Sequence, residues 1–175
     1  MNYILFDGTV RNALLPFTFT RPVAEIRIGI LTIREKWEKY LGYTTTTLTE
    51  EYLSEKYPMV EMEDNIMINA SFLPNDILSE MVKNLEKNQA IFKGDEVIAF
   101  YTNDTQEEVD FDTYEIIDYT EECLTVENTW DIFAKNGLKL AEWPEKAAAM
   151  LPVADVDMQL RTLDDTSREV TLTAH

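Results

Sequence analysis

Short apolar runs along the chain alternate with segments in which apolar residues recur every three or four positions. Asn2–Phe6 is such a run; it ends at Asp7-Gly8 and predicts a buried strand. From Ile26 to Leu41 the apolar residues follow helical spacing, and charged residues occupy much of the opposite face. This second pattern predicts an amphipathic helix that begins near Ile26 and ends before Gly42.

The same two patterns recur along the rest of the chain. Strands are predicted at Thr44–Leu48, Ile66–Asn69, Ala90–Phe92, Val97–Tyr101, Tyr114–Ile117 and Arg168–Thr173. Helices are predicted at Glu50–Tyr57, from Pro74 to Leu85, at Asn128–Lys135 and over Lys146–Leu151. Because strands alternate with helices, the predicted fold class is α/β, with a mostly parallel sheet, covering helices and a late β-hairpin over 90–101.

Charge is spread unevenly over the 175 residues, whose formal net charge is −18. Residues 1–41 hold six Lys and Arg against four acids, so this segment is +2 and the remaining residues carry −20. Such an acidic bulk argues against nucleic-acid binding by phosphate neutralisation. The charge distribution is compatible with a small phosphorylated ligand that binds at the basic segment. It is equally compatible with an acidic protein-interaction domain that binds a basic partner.

Cysteine, histidine and hydropathy argue against several other classes. With one cysteine, Cys123, and one histidine, His175, the chain has neither a disulfide framework nor the residues for multi-histidine metal chemistry. No apolar run approaches the roughly 20 residues of a membrane helix, so no membrane association is expected. The N-terminus lacks the basic and apolar regions of a signal peptide, and a cytoplasmic protein is predicted.

The loop that follows the first strand contains the candidate chemistry. Ligands of open α/β sheets bind where such a loop leaves the carboxyl end of a strand. The loop holds one glycine, several hydroxyls, an acid and two guanidiniums: Asp7, Gly8, Thr9, Arg11, Thr18, Thr20 and Arg21. Arginine grips phosphate in a bidentate fork and stays charged at any working pH, so the loop is predicted to bind phosphate.

At this loop the sequence resembles the signature of the sugar-1-phosphate nucleotidyltransferases, in which a strand meets a glycine-rich loop with an arginine. Arg11 matches the signature arginine, Leu15–Thr18 matches the Leu-Pro-x-Thr run, and Arg21-Pro22 stands where the family has lysine-proline. The chain is most similar to a bacterial branch related to N-acetylglucosamine-1-phosphate uridylyltransferase, over the phrase LPFTFTRPVAEIRIGILTIREKW.

The resemblance extends to about Gly137 and sets the predicted domains. Residues 1–137 are predicted to form a Rossmann-like nucleotidyltransferase domain. Residues 138–175 are predicted to be a divergent C-terminal segment that packs on the same domain or is partly disordered.

The resemblance also implies a reaction, in which a sugar-1-phosphate attacks the α-phosphorus of a nucleoside triphosphate and pyrophosphate leaves, with Mg²⁺ assisting. It implies that Arg11 holds the triphosphate and stabilises the transition state, while Arg21 neutralises the phosphates. Asp7 and the backbone of Gly8 and Thr9 would approach the nucleotide. Self-association into a homo-oligomer is left open.

The chain departs from the family pattern in three respects. The loop has only Gly8 where the family has several glycines, and 138–175 lacks the hexapeptide period of the family's β-helix. Ser71 stands near the place of the metal-binding aspartate, and a hydroxyl is a poor replacement for a carboxylate on Mg²⁺, so the metal ligands are left unassigned. These departures favour an alternative, a non-catalytic relative that binds nucleotide or sugar phosphate or serves as an assembly scaffold.

Overall fold

The computed structural model describes residues 1–103, 105, 109–134, 156–163 and 168–174. The chain divides into two compact units, Met1–Lys139 and Leu140–His175. The described strands of the first unit are β1 Asn2–Phe6, β2 Arg27–Ile28, β3 Leu31–Thr32, β4 Thr46–Leu48, β5 Asn65–Asn69, β6 Gln89–Lys93, β7 Glu96–Thr102 and β8 Glu115–Asp118. Its described α-helices are α1 Ile33–Leu41, α2 Glu51–Ser54, α3 Asp76–Lys83 and α4 Asp131–Ala134. The second unit contains an antiparallel hairpin of β9 Val156–Thr162 and β10 Arg168–Ala174.

One sheet of the first unit has the strand order β4-β1-β5-β7-β6-β8. β1 runs parallel to β4 and β5, β6 runs parallel to β8, and β7 is antiparallel to both of its neighbours. All the strands of this sheet except β7 therefore point the same way. The prediction of a mostly parallel α/β sheet with a late hairpin, of the Rossmann-like class, is confirmed.

The order of the strands creates a topological switch point beside β1. From β1 the chain passes through α1 to β4 on one side, and it then passes through α2 to β5 on the other side of β1. The carboxyl ends of β4, β1 and β5 therefore lie at one edge of the sheet. In open α/β folds, ligands bind outside the carboxyl ends of the strands at such a switch point.

Buried side chains pack on both faces of this sheet. On one face, Trp37 of α1 and Leu78 of α3 join the larger cluster of buried apolar residues. On the other face, Ile4 and Phe100 form a smaller cluster, in which the ring of Phe111 meets that of Phe100 edge-on at a centroid distance of 5.3 Å. Because both faces of the sheet are covered by packed side chains, we expect a ligand to bind at the loops that follow the strand ends.

The helix predicted from Ile26 begins only at Ile33. The preceding residues form the short β2–β3 hairpin, whose turn contains Gly29 with a φ of 72°. Thr32 then caps the helix, because its hydroxyl accepts from the N–H of Glu35 at 3.1 Å while the Glu35 carboxylate accepts from the Thr32 N–H at 2.6 Å. The prediction is wrong over 26–32 because a left-handed glycine and a capping box outweigh the apolar spacing.

Several other elements differ from their predicted extent. The helix predicted at 50–57 contracts to α2, and the helix predicted at 128–135 begins only at Asp131, with residue 135 outside the described residues. The strand β9 was not predicted, because segment 155–165 as a whole is polar and was left unassigned, although residues 156–161 alternate apolar and polar as those of a strand do. The helix predicted over 146–151 lies outside the described residues.

The helices of the described residues are short. The longest, α1, has nine residues, whereas crossing a bilayer takes about 20. Within the part of the chain that the structure describes, no helix combines the length and apolar character of a membrane span. The cytoplasmic location remains a prediction.

Candidate functional site

The loop that follows β1 begins where three strand ends meet. The N–H of Asp7 donates to the carbonyl of Leu48 at the end of β4, at 3.2 Å. The N–H of Ala70, just after β5, donates to the carbonyl of Phe6 at 3.0 Å. A ligand bound at this edge would therefore contact residues that follow β1, β4 and β5.

Arg11 is a cation buried within this loop, with only 8% of its surface exposed. Its Nη1 forms an ion pair with Asp7 Oδ2 at 2.5 Å. Its Nη2 donates to the carbonyl of Thr18 at 2.7 Å and to the hydroxyl of Tyr52 at 2.9 Å, and its Nε lies 3.5 Å from a carboxylate oxygen of Glu50. Each nitrogen of the guanidinium thus faces a protein partner, as a buried charge requires.

Asp7 is the acidic centre of the same network. Its Oδ2 also accepts from the Thr49 hydroxyl at 2.6 Å, and its Oδ1 accepts from the N–H of Val23 at 2.7 Å. The Thr18 hydroxyl donates to the carbonyl of Arg11 at 2.8 Å. These bonds tie the start of the loop to its end and to the residue that follows β4. Removing the Arg11 charge would leave the buried Asp7 carboxylate without its cation, which costs about 3–5 kcal/mol.

Arg21 has a different environment from Arg11. It is exposed, and within the described residues it makes no ion pair or hydrogen bond. Glu25, the nearest acid along the chain, is already paired with Arg34 at 2.5 Å. Thr9 and Thr20 are exposed on the same loop. Arg21 is therefore the cation of this loop whose charge is available to a ligand.

The side chain of Asn69, at the end of β5, lies close to Gly8, which follows β1. A Cβ on Gly8 would lie 2.7 Å from Asn69 Oδ1 and 2.9 Å from Nδ2. Asn69 is held in place, since its Oδ1 accepts from the N–H and hydroxyl of Ser71 at 3.0 and 2.8 Å and its Nδ2 donates to the Val97 carbonyl at 3.1 Å. The φ of Gly8 is −79°, which any residue can adopt, so the backbone conformation does not require a glycine here. The close approach of the Asn69 side chain does.

The side chains around Gly8 and Asn69 do not fit a Mg²⁺ held by protein carboxylates. The Asp7 carboxylate is engaged by Arg11 and Thr49, while Asn69 and Ser71 bind each other. Asn69 and Ser71 are neutral ligands, whereas Mg²⁺ favours charged oxygens. In the described ranges of the chain, no group of three or more Asp, Glu, His or Cys side chains is arranged to hold a metal ion.

A surface cleft lies on the same edge of the sheet, away from the loop that follows β1. It is lined by residues that follow β5, end β6 and follow β8, among them Asn75, Lys93 and Cys123. The Lys93 ammonium is engaged by the Glu121 carbonyl at 2.5 Å and by the ring of Tyr119. Burial raises the pKa of the Cys123 thiol, which the Lys93 charge offsets in part, so the thiol is a weak nucleophile at neutral pH. The cleft therefore offers less chemistry than the loop.

The structure gathers some of the predicted site residues and separates others. It brings Asp7, Gly8 and Arg11 together at the switch point and leaves Thr9 and Arg21 exposed. Sequence reasoning missed Thr49 and Tyr52 as partners of Arg11. Thr49 directly follows a predicted strand, so the shared edge of parallel strand ends was a usable signal, whereas nothing in the sequence pointed to Tyr52. The ligand contacts assigned to these residues stay predictions.

A family model described as sugar nucleotidyl transferase matches residues 3–143, which include the loop after β1 and all of the six-stranded sheet except the first residue of β1. No curated protein matches the chain. Because the family match spans most of the chain and includes the strand ends that form the candidate site, the chain belongs to the sugar nucleotidyl transferase family.

Proposed function

We propose that the chain binds a nucleoside triphosphate through the loop formed by residues 7–22 and transfers its nucleotidyl group to a sugar-1-phosphate. Family membership supports the reaction class, and the position of the loop beside the switch point supports the binding site. The similarity over LPFTFTRPVAEIRIGILTIREKW supports the finer assignment to a bacterial branch related to N-acetylglucosamine-1-phosphate uridylyltransferase. That assignment makes UTP the first nucleotide to test.

The free charge of Arg21 is the observation that carries this proposal. The chain as a whole is strongly acidic, with a net charge of −18, and would repel a triphosphate at most of its surface. Arg21 presents an exposed guanidinium without an acidic partner among the described residues, on the loop that leaves the switch point. A guanidinium there suits the phosphate oxygens of a nucleotide.

The chemistry that this site would support is a displacement at the α-phosphorus. An oxygen of the sugar-1-phosphate forms a bond to the α-phosphorus, the bond from the α-phosphorus to the bridging oxygen of the β-phosphate breaks, and pyrophosphate leaves with the electron pair. Arg21 would stabilise the charge on the phosphoryl oxygens, and the backbone N–H groups of Gly8 and Thr9 would lie against the nucleotide. For Arg11 to contact phosphate as well, its ion pair with Asp7 would have to open.

Thermal unfolding against ATP, CTP, GTP and UTP, each with and without Mg²⁺, tests the binding step. A nucleotide at about 100 times its dissociation constant stabilises the protein by roughly 2.7 kcal/mol, which for a chain of this size raises Tm by about 5–10 °C. We expect a nucleotide-selective rise that is lost in Arg21→Ala. Lys87→Ala is the matched control, because it removes an exposed positive charge just before β6, at the opposite edge of the sheet.

Dependence on Mg²⁺ stays a prediction from the family resemblance, with no residue of this chain assigned to hold the ion. The comparison of the titrations with and without Mg²⁺ tests it directly. A shift that is equal in both would mean that the phosphates are bound by the protein's own groups alone.

A non-catalytic relative is the second candidate, and the pair formed by Asn69 and Ser71 favours it. These neutral side chains stand at the end of β5, near the place where the family has a metal-binding aspartate. Such a relative would bind nucleotide or sugar phosphate without turnover, or would serve only as a scaffold. Pyrophosphate release from UTP with a panel of sugar-1-phosphates separates the two, since binding without release would support the non-catalytic reading.

A chain that unfolds cooperatively but responds to none of the four nucleotides would contradict both nucleotide-binding proposals. The acidic surface would then favour an interaction domain for basic proteins, tested by association that weakens as salt is added. Size-exclusion chromatography with light scattering shows in the same samples whether the chain self-associates into a homo-oligomer.

A further inference from the structure

The segment that carries Arg21 is anchored at both of its ends. At one end, the carbonyl of Thr18 accepts from Arg11 Nη2 at 2.7 Å, and the buried Thr18 hydroxyl returns a bond to the Arg11 carbonyl at 2.8 Å. At the other end, the N–H of buried Val23 donates to Asp7 Oδ1 at 2.7 Å. Between these two anchors the side chains of residues 19–21 are exposed.

The two groups that hold this segment are partners of each other. Arg11 holds Thr18 and Asp7 holds Val23, and the two side chains form an ion pair at 2.5 Å. Tyr52 adds a brace, because its hydroxyl accepts from Arg11 Nη2 at 2.9 Å and donates to the carbonyl of Phe19 at 3.1 Å. Both ends of the segment from Thr18 to Val23 are therefore hydrogen-bonded to the same buried ion pair.

We infer that the Asp7–Arg11 pair is a clamp that positions Arg21 for the phosphates, and that Arg11 is a positioning residue rather than a phosphate ligand. Every nitrogen of the Arg11 guanidinium is already engaged by the protein, whereas Arg21 is free among the described residues. A bidentate fork suits this clamp because it reaches Asp7 and Thr18 at the same time. The identity of the ligand rests on the proposed function. The clamp itself rests only on the hydrogen bonds and the ion pair described above.

A double-mutant cycle on nucleotide affinity tests the inference. The variants are Arg11→Lys, Arg21→Ala and the two combined, and the probe is the tightest binder among ATP, CTP, GTP and UTP. Lysine keeps the charge beside Asp7 but lacks the fork that also reaches Thr18 and Tyr52. We expect Arg21→Ala to raise Kd roughly tenfold to a hundredfold, as the loss of a charged contact does. We expect Arg11→Lys as a single substitution to raise Kd. In the Arg21→Ala background we expect it to cause no further rise in Kd.

Chymotrypsin cleavage after Phe19 reports on the clamp without any ligand. Phe19 is 66% exposed and lies between the two anchors, so the rate of release of fragment 1–19 measures how well the segment is held. We expect Arg11→Lys to speed this cleavage and Arg21→Ala to leave it unchanged. Tyr52→Phe removes only the brace, and we expect it to change cleavage and Kd in the same direction as Arg11→Lys. Because Tyr52 is 64% exposed, this variant is expected to fold even where Arg11→Lys does not.

Arg34→Lys is the matched control for general loss of stability. Arg34 also holds an ion pair, with Glu25, and its Nη1 donates to the carbonyl of Thr45 at 2.8 Å. Its hydrogen bonds and ion pair go to Glu25, Thr45 and Thr47, which lie outside the segment from Thr18 to Val23. We expect Arg34→Lys to lower Tm while Kd and the release of fragment 1–19 stay at wild-type values.

Three results would overturn the inference. If the fold-increases in Kd caused by Arg11→Lys and Arg21→Ala multiply in the double variant, Arg11 contacts the nucleotide itself. An unchanged rate of cleavage after Phe19 in both Arg11→Lys and Tyr52→Phe would mean that the pair does not hold the segment. A wild-type chain that binds none of the four nucleotides would remove the proposed function and the purpose of the clamp, while the cleavage rates would still show whether the clamp exists.

Discussion

Gly8 has no side chain, and Asn69 occupies the space that a Cβ would take. The added carbon of Gly8→Ala would lie 2.7 Å from Asn69 Oδ1, and Asn69 is fixed by Ser71 and Val97. We expect Gly8→Ala to lower the free energy of unfolding by about 1–3 kcal/mol, as overpacking does. The matching fall in Tm is roughly 2–10 °C, measured by calorimetry or circular dichroism.

Asn69→Ala distinguishes this steric effect from a backbone effect. In the Asn69→Ala background the clash is gone, so we expect Gly8→Ala to cost less there than in the wild type. Gly42→Ala is the control, because Gly42 has a φ of 79° and nothing within 4 Å of its missing Cβ. Its cost should be the same in both backgrounds, and an equal cost of Gly8→Ala in both would contradict the steric explanation.

At the scale of the element, the start of α1 depends on the capping box of Thr32 and Glu35. The Thr32 hydroxyl accepts from the N–H of Glu35, and the Glu35 carboxylate accepts from the N–H of Thr32. We expect Thr32→Ala to reduce the free energy of unfolding by about 1 kcal/mol in urea denaturation, whereas Thr32→Ser keeps a hydroxyl and should stay close to wild type. Equal losses in the two variants would mean that the cap does not set the start of the helix.

The same cap has a pH dependence of known sign. The bond from the Thr32 N–H holds the pKa of Glu35 below its ordinary value of 4.5. A carboxyl whose pKa is lower in the folded state adds stability above 4.5 and loses it as the pH falls through the folded pKa. We therefore expect the difference in stability between wild type and Glu35→Gln to be largest above pH 4.5 and to shrink in more acidic solution.

The helices α1 and α3 show which elements the sequence could predict. The start of α3 was predicted from Pro74-Asn75-Asp76, and it is confirmed because Asn75 Oδ1 accepts from the N–H of Leu78 at 2.8 Å. The start of α1 was missed because Ile26 and Ile30 continue the helical spacing into a hairpin. The T-x-x-E pattern of Thr32 and Glu35 was present in the sequence and would have placed the start correctly.

At the scale of the whole molecule, the loop of the candidate site could be predicted but its partners could not. A strand that ends at Asp7-Gly8 places the loop at a carboxyl end, and the sequence shows this directly. The contact of Arg11 with Thr49 and Tyr52 requires β4 to lie beside β1. Hydrophobic periodicity does not determine the order of strands in a sheet, so it could not predict that Arg11 would be buried and engaged.

The predicted boundary between residues 1–137 and 138–175 leads to a test on fragments of the chain. Both clusters of buried apolar residues lie within residues 3–132, inside the compact unit Met1–Lys139. The β9–β10 pair is a two-stranded hairpin, and such a hairpin is at best marginally stable alone. We therefore expect fragment 1–139 to unfold cooperatively within a few degrees of the full chain and to keep any nucleotide-dependent shift, while peptide 140–175 lacks folded structure by circular dichroism.

Fragment 1–118 is the control for this test, because it ends with β8 and loses the residues that close the domain. Tyr119 and Val126 are buried, and the N–H of Val126 donates to the carbonyl of Ser71 at 2.8 Å, close to the candidate site. We expect fragment 1–118 to lose cooperative unfolding and with it the nucleotide response. If fragment 1–139 behaves like fragment 1–118 while the full chain folds, residues 140–175 complete the domain, and the proposed boundary has to move toward the C-terminus.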